Sequence, residues 1–312
     1  MAMYYPVPVK AIKFSSNTTS GGSIPASFDA YLYKPMNNDF APMKLTIGLR
    51  INMRQSSPRL IALDSDNNPF WTSPWTSSEW NTFLDGCAAQ ANMWNGKFWL
   101  RPPLAFSEYN IALADGSQFR PNIVCELSVD FQAGDNAHMT IDVVNLNLAL
   151  LAANPKGKFR SASLLYCSTD VLPRLWSTAG PGEPPLQHTI AHEIGHAIGL
   201  GHIGVDRRLS LCELALWLDA IGKDKYAEWK LQGGSNASVC YGRGQGIANS
   251  GNIMGAGDDF ALENAAPWMW AIGMMRSAYE LPLWRAMMSD PGPGIWLQPW
   301  QTKGRVNGYD PG

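Results

Sequence analysis

The residues His192-Glu193-Ile194-Gly195-His196-Ala197-Ile198-Gly199-Leu200-Gly201-His202 constrain this chain more than any other stretch. On an α-helix, residues i and i+4 lie one above the other on one face. His192 and His196 therefore point the same way if a helix carries them, and two imidazoles at that spacing can share one metal ion. Glycine tolerates φ > 0, which other residues resist. Gly199 thus predicts the end of that helix and a reversal that delivers His202 as a third ligand. Glu193 directly follows the first ligand. It lies too far round the helix to ligate, but beside the ion, where it can take a proton from water.

Three neutral imidazoles leave the fourth tetrahedral position of a zinc ion open to water, an arrangement of catalytic rather than structural sites. Zinc lowers the pKa of such water to roughly 7. Glu193 is expected to take the proton as the water attacks a carbonyl, then to pass it to the leaving amine. The chain has five histidines, and three of them fall at ligand spacing. Of the other two, His188 reads as a satisfied or solvent-facing residue at a helix start. His138 lies in a strand pattern and reads as structural.

This extended motif resembles the zinc helix of the metzincins, zinc endopeptidases that combine it with a downstream methionine turn. Within that clan the helix is most similar to the matrixin form. The resemblance implies a role for Met254, in Asn252-Ile253-Met254-Gly255. Its thioether would pack beneath the imidazoles without ligating. The resemblance also implies an α+β, two-lobed zincin fold. That fold has a mixed, mostly parallel five-stranded sheet, a backing helix, an active-site helix and a smaller helical C-terminal lobe. The implied activity is zinc-dependent endopeptidase, with one catalytic Zn²⁺ on His192, His196 and His202. Glu193 would be catalytic, with Met254 and Gly199 in support. Its partner would be a protein or peptide bound in extended form along an edge strand.

The chain departs from its relatives at several points. Ala256 stands where astacin- and serralysin-like members carry a tyrosine, and Ile203 follows the third histidine. The stretch from His202 to Met254 is longer than in short matrixins, and there is no Pro-Arg-Cys-Gly latency segment. Two rival readings stand beside the general protease. One is a secreted toxin or effector protease that cuts a single host protein. The other is a binding protein in which zinc only holds the fold, and the intact Glu193 argues against it.

Composition narrows the class further. A chain of 312 residues, 46% hydrophobic and 16% charged, can bury a sizeable core. A net charge of −2 gives no electrostatic reason to expect nucleic acid or acidic membranes as partners. No apolar run approaches the roughly 20 residues that span a bilayer. The first residues lack the apolar segment of a signal peptide. The expectation is a monomer that is secreted or exported by another route, with a cytoplasmic location left open. Five cysteines form no Cys-x-x-Cys pair, and Cys87 and Cys125 fall in apolar, core-like patterns. Asp64-Ser65-Asp66-Asn67-Asn68-Pro69 resembles the start of a calcium loop. It lacks the glycine and distal glutamate of an EF-hand, reads as a turn, and leaves Ca²⁺ unsupported.

Four segments are expected: 1–40 as an N-terminal extension, loosely structured or packed as an arm; 41–204 as the catalytic lobe; 205–289 as a C-terminal lobe with the methionine turn; 290–312 as a Pro/Gly-rich tail. Residues 44–53, 122–129, 138–144 and 161–168 read as strands. Thr76 to Glu79 is a capping box, with Trp75 and Trp80 set for a hydrophobic staple. The apolar stripe Trp80, Phe83, Leu84, Cys87, Ala91 and Trp94 follows, and Asn95-Gly96 stops it. A second capping box, Ser210 to Glu213, predicts a helix to about Ile221, with a short helix from Asp224 through Trp229. Pro267 opens an apolar helix with Trp268, Met269, Ala271, Ile272 and Met275, expected beneath the turn. Most tryptophans read as core, and Trp296 and Trp300 as exposed.

Overall fold

The longest alternating run in the chain becomes its central strand. The computed structural model describes residues 4–15, 26–36, 40–58, 62–63, 69–113, 115–147, 149, 159, 161, 164–175, 186–201, 205–206, 209–210, 251–255, 257–276, 284–289, 291–292 and 295–297. The main sheet has eight strands: β1 (Lys10–Ser15), β2 (Ser27–Tyr33), β3 (Met43–Gln55), β4 (Trp99–Arg101), β5 (Ile123–Asp130), β6 (Met139–Val144), β7 (Leu165–Cys167) and β8 (Arg285–Met287). In β3 every second side chain from Met43 to Met53 is buried, the period-2 signature of a strand with one covered face.

β3 pairs antiparallel with β2 along its first half and parallel with β6 along its second, while β5 runs parallel to it over Met43–Arg50. β1 extends the sheet beyond β2, and β7 lies parallel to β6. β4 joins β5 to β8 by antiparallel pairing. The sheet is therefore mixed, with eight strands rather than five and parallel pairing at only three of its seven contacts.

The extra strands come from segments read as extension and C-terminal lobe. β1 alternates over Lys-Ala-Ile-Lys-Phe-Ser, and β2 buries Phe28, Ala30 and Leu32. Residues within 1–40 thus build the sheet instead of leading into it. Arg285–Met287 returns from beyond the zinc motif to pair with β4. Ile295–Leu297, in the expected tail, pairs with Gln118–Arg120.

Three helices complete the frame that positions the site: α1 (Ser77–Ala91), α2 (Thr189–Ala197) and α3 (Ala266–Arg276). α1 starts at Thr76, whose hydroxyl accepts the Glu79 N–H while the Glu79 carboxylate accepts the Thr76 N–H. This reciprocal capping box satisfies two orphan donors. Trp75 and Trp80 meet edge to face with ring centroids 5.1 Å apart. The buried face of α1 carries Phe83, Cys87, Gln90 and Ala91, and Trp94 follows in a 3₁₀ turn. Gly96 takes φ +68 and ends the element. α3 buries Trp268, Ala271 and Ile272, and the Trp268 indole N–H donates to the Glu126 carbonyl at 2.9 Å.

Cys87, Cys125 and Cys167 are buried, and Cys167 Sγ lies 3.3 Å from Thr169 Oγ1. His138 is structural: its Nδ1 accepts the Arg50 N–H at 3.0 Å, and its Nε2 lies 3.6 Å from Asp29. No described helix is long and apolar enough to cross a membrane. The expected helices between 211 and 229, the Asp64–Asn68 turn, Ala256, Cys212, Cys240 and Trp300 lie outside the described residues.

Candidate metal centre

The zinc-motif helix α2 starts without a cap of its own. His188 occupies the N-cap position with φ −97 and ψ 96, but its side chain makes no capping bond. The first backbone N–H groups of any helix lack partners within it. Here Gln90, reaching over from α1, supplies one. Its amide oxygen accepts from Ile190 N–H at 2.9 Å and Ala191 N–H at 3.2 Å, while its Nε2 donates to the Asp170 carbonyl at 3.2 Å. One turn along, the Trp94 indole N–H donates to the Ala191 carbonyl at 3.1 Å. His188 itself sits with Nε2 3.9 Å from Asp258 Oδ2, and its buried Nδ1 has no partner among the described residues. It is partly exposed, with an acidic neighbour on one ring nitrogen.

The helix ends where Gly199 required it to. Gly199 has φ +100, the Gly199 N–H donates to His196 O at 2.9 Å, and the Leu200 N–H donates to Gly195 O at 2.9 Å. That pair of bonds is a Schellman motif, which needs a left-handed residue at the position of Gly199. A Cβ there would also stand 3.0 Å from Trp270 and 3.1 Å from Ala26.

Both imidazoles are oriented by main chain. His192 Nδ1 donates to Ile253 O at 2.7 Å, and His196 Nδ1 donates to Leu200 O at 2.8 Å. Their Nε2 atoms then face each other 3.1 Å apart, with the rings near perpendicular at 88°. Burial drives both away from the charged form: His192 is pushed down to about 3, helped by its neighbour His196, and His196 is also lowered. With Nδ1 of each ring held by a carbonyl, the Nε2 atoms of both turn toward one point, an orientation that suits two ligands of one cation. Nitrogens roughly 2.0–2.1 Å from a tetrahedral zinc stand about 3.3–3.4 Å apart, close to the spacing seen. Donation of the remaining ring N–H to a carbonyl is likewise the usual outer shell of a metal-bound histidine.

No protein-family model, curated protein or solved structure matches this chain.

Met254 packs against α2 at Gly195, the residue before His196. It is buried, and a Cβ on Gly195 would run into its sulfur and lie 3.0 Å from its Cε and 3.1 Å from the Trp94 ring. Only a glycine lets the thioether approach the helix this closely. The turn around Met254 is held by Asn252, whose Oδ1 accepts the Met254 N–H at 2.8 Å and whose Nδ2 donates to Asn264 Oδ1 at 3.1 Å. Its carbonyl accepts from Gly255 and Gly257. Gln187 Nε2 ties the same turn from the other side, donating to Gly255 O at 3.1 Å.

Glu193 is half-buried on α2. Its charge is felt by Tyr166 of β7, a buried phenol raised well above its ordinary range by burial first and by Glu193 next. Among the described residues no cluster of three or more His, Cys, Asp or Glu side chains forms a metal-binding group. His192 and His196 converge; His202 lies outside the described residues. The donors present fit zinc by type and orientation. The residues that sequence reasoning missed are Gln90, Trp94 in its role as donor, and Asn252. Gln90 carried a readable signal, since it is the polar residue that falls on the apolar stripe of α1.

Proposed function

We propose that this chain is a zinc-dependent endopeptidase of metzincin type, with His192, His196 and His202 as ligands and Glu193 as the catalytic base and acid. The two-lobed division near residue 204 and the binding of peptide in extended form belong to the same reading. The observation that carries it is the facing pair of imidazole Nε2 atoms at 3.1 Å, each ring fixed by a main-chain carbonyl on its far nitrogen. A carbonyl on the far nitrogen of each ring is the usual outer shell of a metal-bound histidine.

When bound, a zinc ion supplies Lewis-acid polarisation of the carbonyl and a lowered pKa for water. The chain's own residues do the rest. Glu193 takes a proton from the attacking water as its oxygen bonds to the carbonyl carbon, then delivers it to the nitrogen as the C–N bond breaks. Ile253 O and Leu200 O keep each imidazole in the tautomer that leaves Nε2 free to ligate. Met254 and Gly195 set the depth at which the helix lies on the methionine turn.

Metal analysis tests the site directly. Purified protein should carry about one zinc per chain, and His192→Ala or His196→Ala should abolish that stoichiometry. Zinc content unchanged in both variants would show that the metal, if present, binds elsewhere.

A further inference from the structure

We infer that Gln90 and Trp94 are positioning residues for the metal site, acting from α1 through the backbone of α2; the inference rests on the zinc reading above. Neither side chain is near enough in sequence to have been linked to the histidines, and neither touches an imidazole in the hydrogen bonds described. Their action is on the register of the helix that carries them. Gln90 is 4% exposed and Trp94 fully buried. Their hydrogen bonds to Ile190, Ala191 and Asp170 are therefore made away from water, where a lost partner is not replaced.

The geometry of the two contacts is specific. Gln90 and Trp94 are spaced i and i+4 along the backing segment, so they meet α2 at successive levels. Gln90 accepts the second and third N–H groups of α2, those of Ile190 and Ala191. Trp94 donates to Ala191, the residue before His192, and its ring packs 3.1 Å from the Cβ position of Gly195, the residue before His196. The clamp thus grips the helix immediately ahead of each ligand. His192 must meet Ile253 O and His196 must meet Leu200 O for their Nε2 atoms to converge. A small slide or rotation of α2 would break those two bonds. The other amide arm of Gln90 is anchored on the Asp170 carbonyl. Asp170 is itself fixed, since its carboxylate accepts from Cys167 N–H at 2.7 Å and Ser161 Oγ–H at 2.5 Å. The clamp is therefore referenced to the end of β7, not only to α1.

The test is zinc affinity, measured by competition with a chromophoric chelator on the full chain. Wild type must bind zinc first; if it does not, the zinc reading fails and this inference with it. Gln90→Met keeps the side-chain volume but removes the acceptor and the donor. It should weaken zinc binding by about 10–100-fold, the range for lost outer-shell orientation. Gln90→Glu keeps an acceptor for Ile190 and Ala191 but gives up the donor to the Asp170 carbonyl, and should lose less than Gln90→Met, about threefold. Leu32→Ala, a core deletion in β2, lowers stability without touching the clamp and should leave zinc affinity within the same margin. Wild-type affinity in Gln90→Met overturns the inference while leaving the zinc reading intact. So does an equal loss in Leu32→Ala, which would mark the effect as general destabilisation. Should Gln90→Met fail to fold, Trp94→Phe decides: losing the indole N–H together with part of the ring that meets Gly195 should weaken zinc about fivefold or more, and unchanged affinity there overturns the clamp.

Discussion

Burial keeps His192 and His196 neutral, and it also makes the metal-free protein sensitive to acid. An unfolded histidine titrates near about 6.5, whereas folded His192 is pushed down to about 3. Between those values the unfolded chain binds more protons than the folded one. Stability is therefore intact above about pH 6.5 and falls as the pH drops through the window toward 3, by up to about 1.4 kcal/mol per pH unit from His192 alone. Urea unfolding of zinc-free protein should show a lower midpoint at pH 5.5 than at pH 7.5, and equal midpoints would contradict the burial argument. Two glycines matter on steric grounds. Gly195→Ala drives a methyl into Met254 and Trp94 and should cost about 1–3 kcal/mol, as overpacking does. Gly199→Ala adds left-handed strain of about 1–2 kcal/mol to crowding against Trp270 and Ala26. Both losses are measurable as shifts in denaturant midpoint, and a midpoint at the wild-type value would refute the contact described.

Elements differ in how much of their origin is local. α1 was legible because its signals are contiguous: Thr76 and Glu79 cap it, Trp75 and Trp80 staple it, and Asn95-Gly96 ends it. β3, β5 and β6 are legible because their alternation runs for five residues or more. β4 and β8 have three residues each, too few for a period, and their pairing joins distant parts of the chain. The turn of Met254 was legible as a motif, yet its support by Asn252, Asn264 and Gln187 depends on side chains meeting across loops. That support can be probed. Asn252→Ala strips the partner from the buried Met254 N–H and should cost about 1–3 kcal/mol, while Thr76→Ala at the far end of α1 should cost about 1 kcal/mol. Zinc affinity should fall in the first and hold in the second. An unchanged affinity in Asn252→Ala would detach the methionine turn from the site.

For the whole molecule, the sheet ties residues 10–33 and 285–287 to the frame behind the candidate metal centre. β2 covers one edge of β3, β1 covers β2 in turn, and β8 covers β4. Deleting residues 1–33 would bare the β3 edge over Lys44–Gly48 and remove Phe28, Ala30 and Leu32 from the core. The truncated chain should lose its cooperative melting transition, whereas a dispensable extension would leave that transition in place. The most direct measurement compares wild type with Glu193→Ala by zinc content and by mapping of peptide products from a whole proteome. The account predicts about one zinc per chain in both proteins and new peptide termini with the wild type alone. Equal cleavage by Glu193→Ala would contradict it.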